Sequence, residues 1–394
     1  MDKRLLVMLL MLIITFFIMN IPTINAASDE NVVELTTEEM IDQLNLDIFD
    51  DHWEKIQQDY QDYAPDLSHM SVRDMISNSD LTSPKAIIQT LINIIFFELK
   101  LSARLLGQLI VLSILSAFIK AIQDAFQSKS LTAVVHYSLM LLLMGQAIHS
   151  FMVVSDLIVY TIDHMHHFMV SLLPLVLMLM SLFGNILSVA FFHPIIIFFL
   201  HLTVTLIHHV FIPLLLMALI LYLVSQMNDQ FRLTKLADLI KKTCMSLLVV
   251  CLSIFLTILS AQGASVAIQD GLVVKTTRFM TSHFVPVVGR MFAEATETVL
   301  SVGHIVKNGL GLFGLLSLLL IVGIPIVKVA MIGFIYKLAA AILQPIGEER
   351  MNDSLTLISE NIFFMLAFLL VATFMFVVSL VVLLMASNIS LMVR

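Results

Sequence analysis

Seven stretches of the chain, near residues 101–122, 131–154, 170–191, 195–224, 244–262, 309–336 and 361–386, are predominantly apolar. Each runs about 20 residues or more, the length an α-helix needs to cross a bilayer. In hydrocarbon every backbone N–H and C=O has to be satisfied within the protein, which leaves helices and closed barrels as spanning structures. The apolar runs do not alternate with polar residues as barrel strands do, so the reading is an all-α polytopic membrane protein. Composition agrees: 59% of the residues are hydrophobic and 13% charged, too little polar surface to cover a soluble domain of this length. A more polar segment near 284–306 brings the expectation to seven or eight membrane-embedded helices.

The net charge of −8 is unevenly spread. Residues 29–100 carry 16 acidic and 4 basic side chains, whereas the rest of the chain is slightly basic. No basic face of the kind nucleic acid requires is present. Lys3 and Arg4 followed by the apolar stretch Leu5–Met19, Pro22 and the small residues Ala26 and Ala27 read as a signal peptide over 1–27, with an uncleaved anchor as the alternative. Either way the acidic segment, 28–98, is expected outside the cytosol.

Within that segment Leu46, Phe49, Trp53, Ile56, Tyr60 and Tyr63 recur at spacings of 3, 4, 3, 4 and 3, an apolar stripe on an otherwise acidic helix. Such a stripe packs on its own chain or docks a partner, with Phe49, Trp53, Ile56 and Tyr60 as the anchors. Ser83-Pro84 is a cap followed by a first-turn proline, and it opens a long helix.

The membrane part shows a weak internal repeat. Phe168-Met169 and Pro174 are echoed by Phe279-Met280 and Pro286, and Ile212-Pro213 by Ile324-Pro325, both proline pairs at one offset of 112 residues. This divides it into a first copy, 99–262, and a second copy, 263–394, that contains the polar helix 284–306. If each copy crosses three times, the two are inverted, as in many transporters. Ten of the 13 glycines lie at or after Gly263, and small residues allow membrane helices to approach closely. Lysine and arginine divide evenly between the two sides of an eight-crossing layout, so the positive-inside rule leaves orientation beyond residue 190 open.

Three groups of polar residues invite a chemical reading. Arg290, Glu294 and Glu297 fall at i, i+4 and i+7, one helix face, and ionisable groups at membrane depth normally face a protein interior or a hydrated path. Lys328, deep in the glycine-rich span, needs an acidic partner such as Glu294 or Glu297. These four residues are expected to line a polar path or to meet a neighbouring subunit. The second group is the histidines. His164, His166 and His167 cluster beside Asp163, and His201 and His208 lie seven apart with His209 adjacent. The 164–167 group sits where a span edge is expected, and no metal or other cofactor is assigned. The third, Cys244 and Cys251, reads as a pair of small packing residues on one helix face. No nucleotide-binding loop, nucleophile elbow or zinc-protease motif occurs, so an enzyme is not expected.

Taken together these residues resemble the stage III sporulation protein AE family of endospore-forming bacteria. The resemblance is carried by Ala190-Phe-Phe-His-Pro194, by the run from Gln262 to Gly271, by Pro286-Val-Val-Gly-Arg-Met-Phe292 with Glu294 and Glu297, and by the twelve residues from Phe334 to Pro345. Gly347-Glu-Glu-Arg350 is more charged than the family pattern. The resemblance implies a multi-pass protein of the mother-cell membrane around the forespore. It also implies a place in a channel or secretion-like complex joining the two cells and needed for late forespore development. The implied partners are a cytosolic secretion-type ATPase, ring-forming membrane proteins of the same operon and a forespore membrane protein. The alternative from residues alone is a stand-alone secondary transporter for a small solute or ion, which inverted repeats and midplane charges suit equally.

Overall fold

The computed structural model describes residues 47–61, 84–126, 129–182, 186–227, 233–284, 288–346 and 349–392. Side chains are described over 52–61, 92–118, 137–178, 194–227, 233–259, 309–345 and 350–383. The signal-peptide reading and the side chains of Phe49, Arg290, Glu294 and Glu297 lie outside these ranges. Every regular element among the described residues is helical: α1 (Asp47–Tyr60), α2 (Pro84–Phe126), α3 (Lys129–Leu182), α4 (Ile186–Leu206), α5 (Ile212–Met227), α6 (Thr234–Phe284), α7 (Val288–Leu343) and α8 (Glu349–Met392). A π-helical turn, Ile207–Phe211, joins α4 to α5 without a break, and a 3₁₀ turn, Gln344–Ile346, follows α7.

Six helical stretches among the described residues are long and apolar enough to cross a membrane: Ile92–Phe118, Tyr137–Met178, Pro194–Met227, Thr234–Leu259, Gly309–Leu343 and Arg350–Leu383. The expected spans 131–154 and 170–191 fall largely on one helix, α3, whose 54 residues extend about 80 Å at 1.5 Å per residue. The sequence reading put a span edge at the polar stretch around His164, but an uninterrupted helical hydrogen-bond ladder tolerates polar side chains that point away from the core. The long helix expected from Ser83-Pro84 is α2, which runs through residues 98–99, and α6 runs through 262–263.

The bundle is built around α8. Its stretch from Ile362 to Leu383 is apolar on all sides and almost entirely buried. A helix apolar all round needs protein or lipid on every face, and here α3, α4, α5, α6 and α7 surround it. α2 packs on the outside, against α3 and α7. Small residues set the close approaches. A Cβ on Gly314 of α7 would lie 2.7 Å from Leu172 Cδ2 and 3.2 Å from Leu380 Cδ2, and one on Gly333 would lie 3.3 Å from both Ile362 and Phe363. Beside Gly333, Ser359 of α8 donates to the Gly333 carbonyl at 2.8 Å.

The π turn has a local cause. Pro213 has no N–H for the carbonyl four residues back, that of His209, and its ring crowds that carbonyl. The widened turn relieves this, with the Ile212 N–H donating to Ile207 O, five residues back. Near the opposite end of α5, Lys241 of α6 is buried with its Nζ 4.4 Å from the Phe364 ring centroid, 5.3 Å from that of Tyr222 and 3.9 Å from Glu360 Oε2. Tyr222 donates to Asp238. The charged group thus ties α5, α6 and α8 together where these helices begin or end.

Valine at Gly314 is expected to destabilise the bundle by about 1–3 kcal/mol, because both leucines it meets are in the packed core. The check is the midpoint of thermal aggregation of the detergent-purified protein, which should fall for Gly314→Val and hold for Gly107→Val, whose Cβ position has nothing within 4 Å.

Candidate functional site

α1 lies across α3 and α7. The stripe read from the sequence is the face that meets them: Trp53, Ile56 and Tyr60 are each 3% exposed. Trp53 packs beside Phe313 of α7, with ring centroids 6.0 Å apart. His52 meets the edge of Phe168 at 5.8 Å and lies 3.5 Å from Ser171 Oγ, both on α3. Tyr60 reaches deepest, its hydroxyl donating to the Leu320 carbonyl at 2.9 Å. That approach requires a residue without a side chain at 323, since a Cβ there would stand 2.6 Å from the Tyr60 oxygen. Of the two uses the sequence left open for the stripe, docking on the chain's own membrane helices is the one these three residues make in the structure.

Under α1 is a cavity of about 300 Å³ with mixed polar and apolar walls. Its polar lining comes from Gln58, Asp59 and Tyr60 of α1, Tyr160, Thr161 and His164 of α3, and Lys328 of α7. Pro325 lies in the same wall, one turn before Lys328. Lys328 Nζ is 3.7 Å from Glu98 Oε1 of α2, and the Glu98 side chain is 3% exposed against 35% for Lys328. Both residues belong to stretches long and apolar enough to span. Desolvating a carboxylate there is costly, and a facing ammonium offsets much of the cost. The pair therefore tethers α2 to α7 and leaves the lysine open to the cavity.

The structure thus gives Lys328 an acidic partner that the sequence reading did not single out. Glu98 is the one acid between residues 86 and 123, which is the signal that marked it. Arg290, Glu294 and Glu297 lie in α7, three to four helical turns or more before the described side chains begin at 309. Among the described residues no three of His, Cys, Asp or Glu converge as metal ligands. Cys244 is buried and free, and Cys251, also free, is half-buried.

The histidines do not gather in the core. His166 and His201 bring α3 and α4 together on the outside of the bundle, with ring centroids 6.1 Å apart. His208 and His209 lie side by side on the π turn, 4.7 Å apart and both exposed.

A helical bundle with six stretches among the described residues long and apolar enough to span, and with an ion pair between two of them beneath a docked amphipathic helix, is a polytopic membrane protein. The chain belongs to the stage III sporulation protein AE family, whose model matches residues 67–387. It is similar to the stage III sporulation protein AE of Bacillus subtilis (strain 168), 35% identical over 374 residues that cover 94% of each chain. No solved structure matches. The family model begins after α1, whereas the match to the Bacillus subtilis protein covers nearly the whole chain.

Two substitutions separate the parts of this site. Gly323→Ala is expected to loosen α1 without disturbing the membrane helices, so limited proteolysis of the purified protein should cut near residue 61 faster. Lys328→Ala leaves Glu98 buried beside an emptied position and is expected to cost about 1–3 kcal/mol, reduced from a fully buried pair because the lysine is one-third exposed. Glu98→Gln in the same chain should restore most of that loss in a detergent melting curve.

Proposed function

We propose that this protein is a multi-pass component of the channel or secretion-like complex that joins the mother cell to the forespore during endospore formation. In this reading it sits in the mother-cell membrane that surrounds the forespore. Membership of the family supports the sporulation setting. The observation that carries a role in passage is the Glu98–Lys328 pair opening onto the cavity beneath α1, because ionisable groups at membrane depth mark polar routes and gates. The acidic segment faces the space between the two membranes, and α1 covers the cavity from that side. The protein acts without catalysis of its own. A cytosolic secretion-type ATPase supplies the energy, and ring-forming membrane proteins of the same operon and a forespore membrane protein complete the complex. Arg290, Glu294 and Glu297 extend the polar face along α7 or meet a neighbouring subunit.

The cavity also favours a second reading, a stand-alone transporter of a small solute or ion. Activity of the purified protein in liposomes without partners would select that reading.

The test is a sporulation assay with a late forespore-specific reporter. Lys328→Ala/Glu98→Gln and Glu294→Ala/Glu297→Ala chains should insert into the membrane at normal levels, complete engulfment and then leave the reporter silent. Normal reporter activity and normal spores from both would refute a role for these charges in passage.

A further inference from the structure

The axis of the described bundle is filled by α8, so a hydrated route does not run through its centre. The outside of the bundle is polar where an isolated membrane helix should be apolar. Along α3, His149, Asp156, Tyr160 and His167 are exposed, and Asp163 is partly so. They recur at helical spacing on one face, which points away from the buried positions Val154, Ile158, Ile162, Met165 and Met169. On α4 and the π turn, His201, Thr205, His208 and His209 are exposed as well. The His166–His201 contact joins the two faces into one patch.

Contacts with α8 set the heights. Thr373 meets Met165 of α3 and Met375 meets Thr203 of α4, so these residues share a level. Toward the start of α8, Asn361 reaches Leu215 and Ser359 reaches Gly333, close to the Tyr336 that meets Ser150. Helices α3 and α4–α5 therefore run antiparallel, and His208 and His209 stand level with the stretch Asp156–Asp163. Both groups are also central in their own spans, Tyr137–Met178 and Pro194–Met227. Apolar side chains flank the patch on the same outer surface: Leu141, Leu142 and Met178 on α3, Phe198 and Met217 on α4–α5.

Carboxylates and imidazoles at mid-span do not face acyl chains; they face protein or water. Since these face away from the described part of their own chain, the surroundings that accept them come from outside the described bundle. The patch carries acceptors and donors of both kinds, Asp156 and Asp163 beside four exposed or half-exposed histidines at similar depth. A copy related by rotation about an axis along the bundle presents the same groups at the same height. We infer that this outer face of α3 and α4 is turned toward further copies of the same chain, which together enclose a hydrated path lined by Asp156, Asp163, His201, His208 and His209. The inference rests on the proposed role in passage and moves the route from within one chain to between copies.

The test uses the full-length protein in its own membrane, with Cys244 and Cys251 replaced by alanine. Single cysteines are placed at Asp156, His208 and, as a lipid-facing control, Met217. The expected result is that Asp156→Cys and His208→Cys react with a membrane-impermeant charged thiol reagent while Met217→Cys does not. Asp156→Cys or His208→Cys should also join two copies of this chain through a short bifunctional thiol crosslinker. Reaction of the two sites only with a lipid-soluble maleimide would overturn the inference, as would labelling by the charged reagent with crosslinks only to a different protein. These outcomes are independent of the sporulation reporter: a loss of reporter activity with no self-crosslink would leave the role in passage standing and remove the shared path.

Discussion

The structure depends on the burial of α8. A helix this apolar has no polar side to give to water, and its neighbours supply the surface it needs. Once α8 is enclosed by α3 to α7, the other helices are amphipathic by position, with one face on α8 and the other outward. The weak polar contacts inside follow the same order. Thr203 and Thr373 pair with methionine sulfurs and with carbonyls of their own helices, so these two hydroxyls are satisfied without charge. Asn361 is fully buried, with its amide on Leu215 O, and its Oδ1, like the buried Ser155 and Ser317 hydroxyls, has no hydrogen-bond partner among the described residues.

Besides the Lys241 cluster between α5, α6 and α8, polar groups among the described residues gather at two peripheral places. One is the seam between α2, α3 and α7, where Glu98 and Lys328 face each other and α1 lies across the opening. The other is the outer face of α3 and α4, where histidines and aspartates point away from the chain. The first is closed by a segment of the same polypeptide, through Tyr60 on the Leu320 carbonyl. Among the described residues the second has no such cover. That difference separates a site completed within the chain from the surface for which further copies are inferred.

The prolines serve this arrangement in different ways. Pro213 widens the preceding turn into a π segment and places His208 and His209 side by side on the surface. Its partner in the sequence repeat, Pro325, lies in an uninterrupted α-helix one turn from Lys328, where it borders the cavity. Pro174 is inside α3, whereas α6 ends at Phe284 and α7 begins at Val288, on either side of Pro286. Pro213 and Pro325 thus occupy unlike local settings, and the helices they belong to have different neighbours.

The helical, membrane-spanning character was legible in the sequence, because hydrocarbon admits few backbone solutions and runs of apolar residues report it directly. The amphipathic stripe of α1 was legible for the same reason, since its 3–4 spacing defines a face whatever it packs on. Tertiary structure decided where that face goes, and a glycine 263 residues away from Tyr60 decides how closely it can seat. It also decided that Lys328 meets Glu98, because two charges on distant segments become a pair only when α2 and α7 lie side by side. The joining of two expected spans into α3 was beyond the sequence as well. A polar stretch in an apolar run reads as a membrane edge unless one knows which side of the helix the rest of the bundle occupies.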